Sequence, residues 1–203
     1  MQNNIHTIFF DLFGVLLGVD QSVVIQYLSK LTGTTYLQTR EITMGEAFMR
    51  LERGEIKFKE YVENIQEFMP NGNLIESDSL RDIWINSNIG EMPAVSLVAD
   101  LLKNYNVWVI SNTTESHIRK LKTQFTFLEK FNGIVSSQRA EYHKPHPNIF
   151  KFAFKEAHCE RGNSLFIDDS QSNIDTAEAL GIASHHYTDF EGLVQFFDSK
   201  LSI

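Results

Sequence analysis

Short apolar runs alternate with segments of helical spacing along most of the chain. Five runs rich in β-branched and aromatic residues are each followed by polar or turn residues, which is typical of buried strands. They are Thr7–Phe10, Val107–Ile110, Gly133–Val135, Ser164–Ile167 and Ile182–His186. Between and after the later runs, apolar residues recur at intervals of three and four, as in Ile149–Phe154 and Ile174–Leu180. Strands that alternate with helices predict a parallel sheet with helices on both faces.

One stretch interrupts this alternation. Between residues 20 and 88 we find no strand pattern, but helical patterns occur throughout. They are Val23–Leu31, Ile42–Glu52, Phe58–Phe68 and Leu80–Ile85. We therefore predict an α/β core with a three-layer, Rossmann-like parallel sheet formed by residues 1–17 and 89–203. An all-helical domain over residues 18–88 is inserted after the first strand.

Composition and charge narrow the class of protein. The 203 residues are 42% hydrophobic, which is enough for a sizeable core. The net charge is −8 and we see no run rich in Lys or Arg, so a nucleic-acid partner is not expected. The single cysteine, Cys159, excludes an intrachain disulfide and a cysteine-based zinc cluster.

No apolar window is long enough to cross a bilayer, and the first residues do not resemble a signal peptide. We therefore expect a cytoplasmic protein without a membrane partner. The pattern does not specify an oligomeric state.

Polar residues with catalytic potential follow the predicted strands. They are Asp11 after the first strand, Ser111 and Asn112 after the second, Lys144 on the loop after the third, and Asp168 and Asp169 after the fourth. In an open parallel sheet, ligands bind beyond the carboxyl ends of the strands. We therefore expect three carboxylates, a hydroxyl and an ammonium group to project from one edge of the sheet.

This combination of side chains suits phosphoryl transfer. Three carboxylates in one cleft repel one another unless positive charge lies between them, and Lys144 offsets only one. Mg²⁺ is the natural counter-charge for the rest. An aspartate beside a metal and a lysine is equipped for nucleophilic attack on phosphorus, while Ser111, Asn112 and Lys144 supply donors for phosphoryl oxygens. Taken singly, each residue is more simply a helix cap or a loop residue, but the combination favours a catalytic site.

With these residues placed, the sequence resembles the haloacid dehalogenase superfamily of aspartate-nucleophile hydrolases. Its four motifs correspond to FFDLFGVL with Asp11, VISNT with Ser111, HKPHPNIF with Lys144, and LFIDDSQSNIDTAEALG with Asp168 and Asp169. The residues of these motifs are especially similar to those of the branch that contains sugar-phosphate phosphatases and the phosphatase domain of epoxide hydrolases. In that branch a small helical cap follows the first strand, which agrees with the insertion.

The resemblance implies specific roles. Asp11 would be the nucleophile, and Mg²⁺ would be bound by the Asp11 carboxylate, the backbone carbonyl of Phe13 and Asp168. Asp169 would bind Mg²⁺ through water or orient Lys144. The implied activity is hydrolysis of a small phosphorylated metabolite through an aspartyl-phosphate, with Asp11, Ser111 and Lys144 as catalytic residues.

Phe13 departs from the family pattern. Most phosphatases of the superfamily carry a second Asp at this position, which protonates the leaving group and then activates water. General acid–base catalysis is typically worth ~10²–10⁴-fold, and Phe13 supplies none of it. A cap residue, solvent or a leaving group that hardly needs protonation would have to compensate.

Two alternatives stay open at this point. An L-2-haloacid dehalogenase favours an aromatic residue at the position of Phe13 and uses no metal, but the intact pair Asp168–Asp169 argues against it. A domain that binds phosphorylated ligands or a partner protein without turnover is the other alternative. The preserved acids favour the phosphatase.

Overall fold

The computed structural model describes residues 5–52, 55–85 and 89–201. Its strands are β1 (Thr7–Phe10), β2 (Leu17–Val19), β3 (Ile89–Glu91), β4 (Asn106–Ser111), β5 (Gly133–Ser136), β6 (Ser164–Asp168) and β7 (Ala183–His186). Its α-helices are α1 (Ser22–Thr32), α2 (Tyr36–Thr43), α3 (Glu46–Glu52), α4 (Phe58–Glu67), α5 (Ser77–Ile85), α6 (Val95–Leu101), α7 (Glu115–Gln124), α8 (Ser137–Ala140), α9 (Pro147–Glu156), α10 (Gln171–Ala179) and α11 (Phe190–Lys200). Short 3₁₀ turns lie at Gly72–Leu74, Thr126–Glu129 and Arg161–Asn163.

Five of these strands form one parallel sheet in the order β5-β4-β1-β6-β7. In the centre, Phe9 of β1 is in register with Trp108 of β4 and with Phe166 of β6. Every residue of β1 and β6 is buried, which explains their continuous apolar sequence, because helices cover both faces of a parallel sheet. The predicted α/β sheet and its five strands are confirmed.

Successive residues of β1 face opposite sides of the sheet. The Phe9 side chain lies in a cluster with Phe150 of α9 and Ile174 of α10. The Phe10 ring contacts the Phe197 ring of α11 edge-to-face, at a centroid distance of 6.1 Å. Helices therefore pack against both faces, and the architecture has the three layers that the pattern predicts.

The chain divides into two compact units. One comprises Met1–Gly18 with Glu91–Ile203, and contains the five-stranded sheet; the other, Val19–Gly90, is the helical unit. From the sequence, we predicted that the helical unit would span residues 18–88. Strands β2 and β3 pair as a two-stranded sheet at the two points where the chain passes between units.

The helical unit contains α1 to α5 around its own apolar cluster. Leu28 of α1, Tyr61 and Ile65 of α4, and Leu80 of α5 are almost fully buried in it. The predicted helix over Ile42–Glu52 is wrong in one respect, because α2 ends at Thr43 and α3 begins at Glu46. Thr35 caps α2 reciprocally with Gln38, and this local capping box was not used in the sequence prediction.

No helix among the described residues is long and apolar enough to cross a membrane.

Candidate active site

The carboxyl ends of β1, β4 and β6 deliver the main polar side chains. Asp11 directly follows β1, Ser111 is the last residue of β4, and Asp168 is the last residue of β6. The Asp11 N–H still donates to the Ile167 carbonyl at 2.8 Å, which continues the ladder for one residue. Because β1 lies between the other two strands, these residues end at the same edge of the sheet. The structure thus brings together residues that are distant in sequence.

Lys144 lies at the centre of a buried ion-pair network. Its Nζ is 2.7 Å from Asp11 Oδ1 and 2.6 Å from Asp168 Oδ2. The side chain of Lys144 is 1% exposed and that of Asp168 is not exposed at all. An ammonium group has three donors, so the two carboxylates leave one hydrogen for a further acceptor. Burial of an ammonium group without such partners would be costly.

Asp168 is held on both of its oxygens. Oδ2 accepts from Lys144, while Oδ1 accepts from the backbone N–H of Ser170 at 2.8 Å and from Asn173 Nδ2 at 2.8 Å. Asn173 lies on α10, and so the first turn of that helix anchors the carboxylate. These hydrogen bonds fix the orientation of the Asp168 carboxylate at the end of β6.

Asp169 approaches the chain just after β1. A Cβ atom added to Gly14 would lie 2.1 Å from Asp169 Oδ2, so only glycine leaves room for the carboxylate. Gly14 also has φ of +88°, which favours glycine. On the other side, His186 at the end of β7 hydrogen-bonds the Asp169 backbone carbonyl at 2.9 Å. No local signal in the sequence indicated this contact of His186, because it joins residues 17 positions apart.

The three carboxylates form a group of hard oxygen ligands. One oxygen each from Asp11, Asp168 and Asp169 lies within 4.8 Å of the others. Burial, followed by the charge of Asp168, raises the pKa of Asp11 well above its usual range, although Lys144 opposes the shift. Burial and Asp168 also raise the pKa of Asp169. For Lys144, burial alone would lower the pKa, but Asp11 and Asp168 outweigh it and raise the pKa. One ammonium therefore does not neutralise the group, and the donor set fits a divalent cation such as Mg²⁺.

Phe13 lies in a tight loop after Asp11. The N–H groups of Gly14 and Leu17 donate to the carbonyls of Leu17 and Leu12, at 2.9 and 2.8 Å. The Phe13 ring is half-buried and stacks on the ring of His117 from α7, with centroids 5.5 Å apart and an interplanar angle of 23°. Burial, together with Lys120, lowers the pKa of His117. The aromatic ring at position 13 is thus paired with the imidazole ring of a helix from another part of the chain.

The side-chain amide of Asn112 forms two hydrogen bonds with the backbone of Lys144. Ser111 is buried at the end of β4, beside these groups in the fold. The roles of Ser111 and Asn112 as donors to phosphate, and of the Phe13 carbonyl as a metal ligand, stay predictions.

The chain matches a known family of proteins. Residues 5–181 match the haloacid dehalogenase-like hydrolases, and because this match spans most of the chain, the protein belongs to that family of hydrolases. It is similar to a D-ribitol-5-phosphate phosphatase from Bacteroides thetaiotaomicron, with 25% identity over 186 residues that cover 87% of this chain and 89% of the relative.

Solved structures agree with the assignment. A haloacid dehalogenase family enzyme from Bacteroides thetaiotaomicron, crystallised with magnesium and inorganic phosphate, has 27% identity and a TM-score of 0.61 over 93% of this chain and 98% of that one. The hydrolase YfnB from Bacillus subtilis, bound to magnesium, has 16% identity and a TM-score of 0.73 over 98% and 99% of the two chains. This second likeness shows the fold alone.

Proposed function

We propose that the protein is a Mg²⁺-dependent phosphatase that hydrolyses a small phosphorylated metabolite through an aspartyl-phosphate on Asp11. The observation that carries the proposal is the buried Lys144 ammonium between Asp11 and Asp168, with Asp169 close by. Buried charges at a sheet edge are costly and cluster at functional sites.

Asp11 is the nucleophile of the proposed reaction. One carboxylate oxygen attacks phosphorus, the bond from phosphorus to the ester oxygen breaks as the new bond forms, and the ester oxygen takes a proton from solvent and leaves as the alcohol. Water then attacks the phosphorus of the aspartyl-phosphate and loses a proton to solvent, and the bond from phosphorus to the Asp11 oxygen breaks, which releases inorganic phosphate and regenerates the Asp11 carboxylate. Lys144 donates its third hydrogen to a phosphoryl oxygen, and the Ser111 hydroxyl donates to another.

The residues that would hold Mg²⁺ are Asp11, the backbone carbonyl of Phe13, and Asp168, with Asp169 acting through water. When bound, Mg²⁺ supplies positive charge that offsets the carboxylates and the transferring phosphoryl group. We further propose that the helical unit is the cap that selects the substrate.

The similarity to a D-ribitol-5-phosphate phosphatase supports a polyol or sugar phosphate as substrate. Phe13 adds a restriction, because it gives no proton to the leaving oxygen. If no residue of the helical unit takes over this task, acyl, anomeric and aryl phosphates should be hydrolysed faster than primary alkyl phosphates.

The test is a phosphatase screen of the purified protein. The panel contains D-ribitol 5-phosphate, a sugar 1-phosphate, acetyl phosphate and p-nitrophenyl phosphate, each with Mg²⁺ and with EDTA. We expect turnover that EDTA abolishes and Mg²⁺ restores. Asp11→Asn should reduce it by about 10⁴-fold. Asp100→Asn, at an exposed aspartate, is the matched control and should change nothing.

Two outcomes would contradict the proposal. Release of halide from a 2-haloacid, unaffected by EDTA, would identify the dehalogenase alternative. Binding of phosphate without turnover of any ester would identify the non-catalytic alternative.

A further inference from the structure

Asn112 and Lys144 are joined by a pair of hydrogen bonds between one side chain and one backbone unit. Asn112 Nδ2 donates to the Lys144 carbonyl at 2.9 Å, and Asn112 Oδ1 accepts from the Lys144 N–H at 2.7 Å. The two residues are separated by 32 positions in the sequence. One amide side chain therefore satisfies both backbone polar groups of the lysine that carries the ion-pair network.

The loop around Lys144 has little regular structure of its own. It runs from the end of α8 at Ala140 to the start of α9 at Pro147, and Tyr142 and His143 within it are exposed. Among the backbone-to-backbone hydrogen bonds of the described residues, two involve this loop, and both use His146: its N–H donates to the His143 carbonyl at 2.8 Å, and its carbonyl accepts from the Ile149 N–H at 3.2 Å. Neither involves the backbone of Lys144. The Asn112 amide is thus a principal restraint on the backbone position of Lys144.

The position of this backbone decides what the ammonium group reaches. A lysine side chain is a flexible four-carbon stem, so the location of its Nζ depends on where the Cα is held. In the structure Nζ is within 2.7 Å of both Asp11 and Asp168, and one of its hydrogens is left for a further acceptor. A displacement of about 1 Å is enough to weaken catalysis by a misplaced group.

We propose that Asn112 is a positioning residue, which holds the backbone of Lys144 so that its ammonium group meets the phosphoryl oxygen. The importance of that meeting rests on the proposed phosphatase function. Because Asn112 follows Ser111 directly, the same contact joins the two loops that carry the proposed phosphate donors. The side chain of Asn112 acts through Lys144 and does not itself contact the substrate.

Amide hydrogen exchange tests the contact without reference to catalysis. In Asn112→Ala, exchange at the Lys144 N–H should accelerate about tenfold or more, because its acceptor is lost. In Asn112→Asp, which keeps an acceptor but not the donor, the rate should lie between wild type and Asn112→Ala. Gln138→Ala is the matched control: this exposed side chain accepts from the Glu115 N–H at 2.9 Å in the same region but does not contact Lys144.

Binding of inorganic phosphate in the presence of Mg²⁺, measured by calorimetry, tests the consequence. We expect Asn112→Ala to weaken this binding about tenfold and Gln138→Ala to leave it unchanged. Unchanged exchange at Lys144 in Asn112→Ala would overturn the proposal. So would weaker phosphate binding with Lys144 exchange intact, because Asn112 would then contact the phosphate directly.

The two proposals fail in distinguishable ways. If the wild-type protein does not bind phosphate with Mg²⁺ and hydrolyses no ester, the proposed function is wrong. The exchange rates still decide whether Asn112 holds Lys144.

Discussion

The α/β unit and the helical unit bury polar groups in different ways. In the α/β unit, Asp11, Lys144 and Asp168 are buried charges that contact one another. Among the described residues of the helical unit, the buried polar groups of side chains are the hydroxyls of Thr32, Thr39, Thr43 and Tyr61. The interior of that unit is otherwise apolar, and Phe48, Phe58 and Trp84 are partly buried around the fully buried Tyr61 ring.

The comparison separates uncharged buried groups, which stabilise the fold, from buried charges, which are better suited to chemistry. A buried hydroxyl costs less free energy than a buried charge, and one partner can satisfy it, as the Leu28 carbonyl does for Thr32 at 2.7 Å. Among the described residues, Thr43 Oγ1 is buried without such a partner. Buried charges cost several kcal/mol each unless they are paired. Their concentration at one sheet edge is therefore best explained by function.

Phe13 combines features of the two units, because it places an aromatic ring two residues after Asp11 of the charged site. Phe13→Asp should increase turnover of primary alkyl phosphates by ~10²–10⁴-fold, since it restores an acid that can protonate the leaving oxygen. Aryl phosphates, whose leaving groups need little protonation, should gain much less. Steady-state kinetics on both classes with Mg²⁺ measures the ratio.

Phe13→Asn is the control, because it removes the ring without adding an acid and should not increase turnover. A lower rate in Phe13→Asp, with the fold retained, would mean that the Phe13–His117 stack forms part of the substrate pocket.

Lys144→Met tests how much the ion pairs of Lys144 with Asp11 and Asp168 contribute to the free energy of unfolding. Removal of the ammonium leaves two buried carboxylates without a counter-charge, which should lower the free energy of unfolding by about 3–5 kcal/mol in the absence of divalent cations. Urea denaturation with and without Mg²⁺ measures the loss and its partial recovery. Lys103→Met removes an exposed lysine with a similar ion pair to Asp100, and should cost less than about 1 kcal/mol. Equal effects at the two positions would remove the distinction between the buried and exposed pairs.

Asp11→Asn should stabilise the metal-free protein at neutral pH. The pKa of Asp11 is raised in the folded state by burial and by Asp168, so its ionisation opposes folding. The penalty is absent below the pKa of the unfolded chain, about 4, and grows as pH rises through the pKa of the folded protein. Thermal denaturation in EDTA should therefore give a higher Tm for Asp11→Asn at pH 7 and similar values at pH 4. A lower Tm for the variant at pH 7 would show that the Asp11–Lys144 pair outweighs this penalty.

Tyr61→Phe gives the smallest expected effect and concerns the helical unit. The Tyr61 hydroxyl donates to the Thr43 carbonyl at 3.0 Å, and the ring is fully buried. Loss of this hydrogen bond should cost about 1 kcal/mol, measured by urea denaturation. A loss as large as that expected for Lys144→Met would mean that buried hydroxyls in the helical unit matter as much as charges at the site.

Local patterns were sufficient for most of the sheet. The predicted Thr7–Phe10 has the same bounds as β1, because a strand buried on both faces is a continuous apolar run. Strands β2 and β3 have three residues each, too few to show a period, and their pairing depends on residues about 70 positions away. The separation of α2 from α3 was also missed, since Gly45 is a weak signal within a helical pattern.

The sequence by itself determined which chemical groups end the strands: Asp11, Ser111, Asp168 and Asp169, with Lys144 on a loop. Strand ends are set by short-range alternation of apolar and polar residues, which a sequence displays directly. Tertiary structure alone decided that Asn112 bonds the Lys144 backbone, that His117 stacks on Phe13, and that His186 bonds the Asp169 carbonyl. These contacts join segments from different strands and loops, and their geometry depends on how the whole sheet is ordered and twisted.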